Sequence, residues 1–323
     1  MSADTAIAVP LAPPKQRGSI GDTIFYSATL GFAALVLLIL SGVIITLVSG
    51  AWPALQQFGF GFLITEAWNP VTDKYGAVAP VYGTLVTSAI AMLIGIPVAF
   101  GVALFITELS PVWLKRPLST MIELLAAIPS IIYGIWGLFV LAPFVQERIE
   151  PALIDTLGAI PGIGLLFEGP PLGIGVLTAG FILAVMVLPF IASVMRDVFE
   201  TVPPLLKESA YGLGATTTEV VWQVVLPFTR IGVVGGVLLG LGRALGETMA
   251  VTFVIGNSHR IHASILQPGT TISAALANEF TEAVGDLYQS SLIALGLILF
   301  VITFIVLAIA KIMLIRLEKQ AGR

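Results

Sequence analysis

The 323 residues are 57% hydrophobic and only 11% charged, far below the roughly one quarter charged residues of soluble domains, so most of the chain cannot face water. A formal net charge of −4 and a sequence pI near 5.2 leave no clustered basic surface of the kind that phosphate-backbone binding needs, which excludes nucleic acid as a partner. The absence of cysteine excludes a disulfide framework, a thiolate nucleophile, an iron–sulfur cluster and Cys-ligated zinc.

Residues 1–22 contain Pro10, Pro13, Pro14, Lys15, Arg17 and Gly18 and read as a disordered tail without a signal-peptide cleavage pattern. A hydrocarbon core of about 30 Å takes about 20 apolar residues in helix. Six runs of that kind follow, at 24–48, 82–106, 118–140, 172–195, 231–255 and 290–315. The expected fold class is an all-α integral membrane protein with six transmembrane helices in one domain over 23–323, solvated by the lipid bilayer. Loops are expected at 49–81, 107–117, 141–171, 196–230 and 256–289.

Positively charged loops stay in the cytoplasm. The tail, the second and fourth loops and the C-terminus hold Lys15, Arg17, Lys115, Arg116, Arg196, Lys207, Arg230, Lys311, Arg316, Lys319 and Arg323, against Lys74, Arg148 and Arg260 in the other three. Both termini are therefore expected in the cytoplasm. Trp52, Trp68 and Trp113 fall just outside apolar runs, where indoles anchor at the membrane interface.

Glu123 enters the third run about 9 Å deep. It can pair with Arg243, meet a cation of a partner subunit, or reach the cytoplasmic interface, and the last is favoured. Pro97, Pro129 and Pro189 interrupt apolar runs and are expected to bend helices.

The fourth loop, 196–230, is longer than a helix connection needs. Pro203 and Pro204 suit a first helical turn, and Gly212 and Gly214 suit its termination. Thr216 and Glu219 then form a capping-box pattern ahead of Val220, Val221, Val224 and Val225, a second short helix expected to stop at Leu226-Pro227. Glu208-Ser209-Ala210, Gly214 and Val224-Val225-Leu226-Pro227 resemble the Glu-Ala-Ala loop of permease subunits in ABC importers, with Ser209 in place of the middle alanine. The resemblance implies that Glu208, Ser209, Ala210 and Gly214 belong to a coupling helix docked on a separate ATPase. The competing reading is a helical hairpin lying on the membrane surface.

In the fifth run, Gly232, Gly236 and Gly240 repeat every four residues, a small-residue face for close helix packing. Arg243 lies about 18 Å into that run, near the bilayer midplane, where a lipid-facing position is unfavourable. Glu247, four residues on, is expected on the same helical face and in reach of Arg243. The pair reads either as a structural bridge or as a transient oxyanion site, with Arg243 offering its fork of donors and Glu247 limiting the affinity; the second is favoured. His259 and His262 in the last outer loop read as solvated and do not make a metal site. The chain has no Walker A pattern to hold ATP.

Arg243-Ala-Leu-Gly-Glu-Thr-Met-Ala-Val251, Glu123-Leu-Leu-Ala-Ala-Ile-Pro-Ser-Ile-Ile-Tyr-Gly134 and Tyr82-Gly-Thr-Leu-Val-Thr-Ser88 resemble the phosphate-importer permeases of bacteria, from about Gly21 to the last span. The resemblance implies a type I ABC importer permease fold of the MetI-like kind and a heterodimer with a second permease. It also implies two ATPase subunits, an extracytoplasmic phosphate-binding protein, no cofactor, no covalent chemistry in this chain, and a phosphate route past Arg243 and Glu247. Sulfate or molybdate remains open as the oxyanion. The rival reading is a self-contained secondary transporter in which Arg243, Glu247 and Glu123 relay protons or ions.

Overall fold

The computed structural model describes residues 20–321, with side chains to residue 316. Lys15 and Arg17 of the expected tail, the Lys319 side chain and Arg323 lie outside what is described. Two compact units divide the chain, 1–46 and 47–323. The first contains the opening turns of the helix Ile20–Phe58, whose Ile24, Phe25, Leu37 and Leu38 are exposed, as suits a surface solvated by lipid.

Six helices among the described residues are long and apolar enough to cross a membrane: Ile20–Phe58, Val78–Leu109, Ser130–Thr156, Val176–Glu200, Thr217–Leu245 and Asp286–Arg316. They are called here the first to sixth spans. The fourth is the hub of the second unit, with 72% of its apolar window buried against 17–33% for the second, third, fifth and sixth. Ile182, Leu183, Val187, Ile191 and Met195 form its fully buried face. The expected glycine face packs there. A Cβ on Gly232, Gly236 or Gly240 would meet Val198, Val194 or Ile191, one turn after another along the fourth span.

Two spans differ from their expected positions. Residues 118–126 belong to a separate amphipathic helix, Val112–Ala126, and the third span starts only after Pro129. The residue before a proline avoids helical backbone, so Ile128-Pro129 breaks the apolar run. The span recovers its length by running through Gln146, Glu147, Arg148 and Glu150, inside the stretch 141–171 expected as loop. The fifth span begins at Thr217 and ends at Leu245, so Leu226-Pro227 does not stop it.

Proline is accommodated there by a local widening. Val221–Val225 is a π-turn in which the Leu226 N–H donates to the Val221 carbonyl. All four π-turns among the described residues, Phe105–Leu109, Gly137–Leu141, Val145–Ile149 and Val221–Val225, end two residues before a proline: Pro111, Pro143, Pro151 and Pro227. Proline lacks the N–H and its ring crowds the carbonyl four residues back, and the shift to a five-residue bond relieves both. Pro97 and Pro189 remain inside uninterrupted α-helix.

Candidate translocation and coupling sites

The fifth span breaks where its charges lie. Arg243 occupies the last turn, Gly246 closes the helix, and the single turn Met249–Thr252 follows. The break falls between Arg243 and Glu247, so the four-residue spacing no longer places them on one face, and no ion pair joins them. Glu247 Oε1 instead accepts the Ala250 N–H at 3.3 Å and caps the new turn, while Arg243 sits at a helix C-terminus, where a cation is favoured. The exposed Arg243 has its guanidinium 5.9 Å from the Phe190 ring centre on the fourth span, with no carboxylate of the described residues in ion-pair range.

After the break the chain runs without regular helix from Phe253 to Thr271. Backbone groups without a helix to pair them need partners elsewhere in the protein. Here the Gly175, Val176 and Leu177 N–H groups donate to the Val254, Gln267 and Ile265 carbonyls, and the Gly269 N–H donates to Ile255. The three sequence motifs converge on this segment. Gly134 packs against Phe253, Met249 and Ala250, leaving no room for a Cβ; Gly83 packs as closely against the Thr270 carbonyl; and the Thr84 hydroxyl accepts the Ile272 N–H at 3.0 Å.

Glu123 does not reach Arg243. It lies on the amphipathic helix and pairs at 2.9 Å with Arg196, at the end of the fourth span, which also binds Asp197 at 2.6 Å. Its role as a charge partner of Arg243, and with it the relay of the secondary-transporter reading, has no geometric basis.

Between the fourth and fifth spans only 201–216 lies outside them, and it carries the helix Pro204–Gly212. Glu208 and Ser209 are exposed on it, Ala210 packs partly against the core, and Gly214 makes the turn at φ +88°, a left-handed backbone that favours glycine. The capping box is complete: Thr216 Oγ1 accepts the Glu219 N–H, and Glu219 Oε2 accepts the Thr216 N–H at 2.8 Å. Leu205 and Leu213 are 72% and 90% exposed.

The spacing of residues gave no sign of one cluster that joins the loops before the second and sixth spans. Glu279 accepts from Trp68 Nε1 at 2.6 Å and from the Tyr288 hydroxyl at 2.7 Å, and lies 2.6 Å from His259 Nε2. The Trp68 and His259 rings stack at 4.9 Å. Thus His259 is not solvated, and Trp68 is half-buried in the cluster. Burial works against the Glu279 carboxylate, but the bonds from His259, Tyr288 and Trp68 outweigh it and hold its pKa below the usual value. Burial, with the charge of Asp73, pushes the Tyr75 phenol beside it up to about 12. The partners of Glu279 are 9 to 211 residues away in sequence, a pairing that only tertiary folding produces. Glu150 was also missed: it is fully buried, with Oε2 accepting the Gly173 N–H at 2.9 Å.

Residues 91–319 match the family described as binding-protein-dependent transport system inner membrane component. This chain belongs to that family. A phosphate transport system permease protein of Mesorhizobium japonicum is 62% identical over 95% of this chain and 94% of the relative. One from Haemophilus influenzae is 56% identical over 94% and 96%. A solved bacterial ABC transporter involved in import of the acidic polysaccharide alginate superposes with a TM-score of 0.60 at 18% identity, covering 92% of this chain and 96% of that one. The family and the fold make this chain a multi-pass membrane component of an ABC importer, with the six-span permease architecture of the MetI-like kind. As a family member it is a transport subunit that works with other ABC transporter components.

Proposed function

We propose that this chain is a pore-forming permease of an ATP-driven importer of inorganic phosphate, and that Arg243 is its oxyanion contact. The observation that carries the reading is the free guanidinium at the broken end of the fifth span. Its planar fork of donors suits a tetrahedral oxyanion, and no carboxylate of the described residues competes for it. Glu247 acts by holding the turn after the break, so the charge of Arg243 is not half-neutralised. The names of relatives at 62% and 56% identity support phosphate over sulfate or molybdate.

In this reading the chain pairs with a second permease to complete the pore. The helix Pro204–Gly212, with Glu208, Ser209, Ala210 and the Gly214 turn, docks on one of two ATPase subunits through its exposed leucines. An extracytoplasmic phosphate-binding protein delivers substrate to the opposite face, and both termini lie in the cytoplasm, following the lysine and arginine asymmetry.

The test is reconstitution in lipid vesicles with the partner permease, ATPase and binding protein, measuring ATP hydrolysis and uptake with phosphate, sulfate and molybdate. Phosphate alone should stimulate both. Arg243→Ala should lower phosphate uptake about 10- to 100-fold, the range for losing a charged hydrogen-bonding partner, with ATP hydrolysis retained. Uptake that survives Arg243→Ala would remove the oxyanion role.

A further inference from the structure

The nine-residue helix Pro204–Gly212 buries no residue fully. A helix that short does not hold itself together in water, so its few attachments to the membrane body set its position. Ala210 packs partly against the core, and Lys207 Nζ lies 2.6 Å from Glu108 Oε1, with the two side chains 19% and 5% exposed.

Glu108 sits in the π-turn Phe105–Leu109 at the end of the second span. The preceding residue is held as well, because Lys115 Nζ donates to the Thr107 carbonyl at 2.6 Å. At the opposite end of the same helix, Gly83 and Thr84 meet Thr270 and Ile272 of the segment that follows the break beside Arg243. Twenty-four residues of helix, about 36 Å, separate the two contacts. One continuous helix thus touches the loop helix at one end and the irregular segment at the other.

The geometry points to the Lys207–Glu108 ion pair as the strut through which the loop helix moves the second span, and through it the segment behind Arg243. Lys207 and Glu108 are positioning residues that touch neither ATP nor substrate. The inference rests on the coupling role proposed for this loop. A nearly buried carboxylate tolerates its charge only while its partner stays, so motion of the loop helix is followed by Glu108 rather than lost in slippage.

The complete importer in vesicles tests this, with phosphate moved per ATP hydrolysed as the readout. Lys207→Met and Glu108→Gln should each lower that ratio by about tenfold, and Glu108→Lys combined with Lys207→Glu should restore most of it. A merely structural pair would change the amount of assembled complex and leave the ratio alone. Wild-type ratios in both single variants overturn the proposal, as does a reversed pair that assembles but stays uncoupled. Single variants that fail to assemble overturn it too, since the pair is then a folding element. A wild-type complex that hydrolyses ATP without moving phosphate removes the underlying coupling role instead, and the wild-type arm alone reveals it.

Discussion

Glu279 illustrates how a residue with no local signature acquires a role from its surroundings. Its carboxylate gathers Trp68, His259 and Tyr288, and with them the loop before the second span, the segment after the break and the start of the sixth span. A carboxyl held below its ordinary value contributes its stability above that value, about pH 4.3, and loses it as pH falls through the folded-state value. Acidifying the solubilised protein should therefore leave Trp68 emission steady down to about pH 4 and change it below. Glu279→Gln should abolish that acid transition, with Trp68→Phe identifying the signal among the five tryptophans. Arg243 and Glu247 were legible as functional candidates, since a charge within an apolar run is itself unusual. Their pairing was misread because the spacing argument assumes an unbroken helix, and Gly246 ends it between them.

At the scale of elements, the glycine stripe of the fifth span was read correctly from its four-residue period, because close helix approach in lipid requires small side chains whatever the partner. The partner itself, the Val198–Val194–Ile191 face of the fourth span, is a tertiary fact. Gly240→Ala should force Ile191 aside and destabilise the protein by about 1–3 kcal/mol, seen as a lower thermal unfolding midpoint in detergent. Gly235→Ala, facing open space on the same helix, should leave the midpoint nearly unchanged. The reading of Leu226-Pro227 as a stop and of 141–156 as loop failed in a common way. Four prolines that local rules treat as helix terminators or loop residues each follow a π-turn, and at Pro143, Pro151 and Pro227 the widened turn lets the span continue.

For the whole molecule, the orientation drawn from charge can be measured directly, because the chain contains no cysteine of its own. Val71 is 92% exposed in the loop before the second span, and Leu213 is 90% exposed beside the loop helix. A membrane-impermeant maleimide should label Val71→Cys in intact cells expressing the chain without its ATPase. Leu213→Cys should be labelled only after permeabilisation. The reverse pattern would invert the topology and move the proposed ATPase-docking face to the wrong side of the membrane.

The sequence by itself determined that this protein lives in a bilayer and how many times it crosses. Those properties depend on transfer of apolar residues from water and on local helix chemistry, both of which act residue by residue. Only the tertiary structure decided where the third and fifth spans begin and end, that Arg243 has no carboxylate partner among the described residues, and that Glu123 serves Arg196. Each depends on where a broken backbone finds its missing hydrogen bonds, and those partners come from segments far away in the chain.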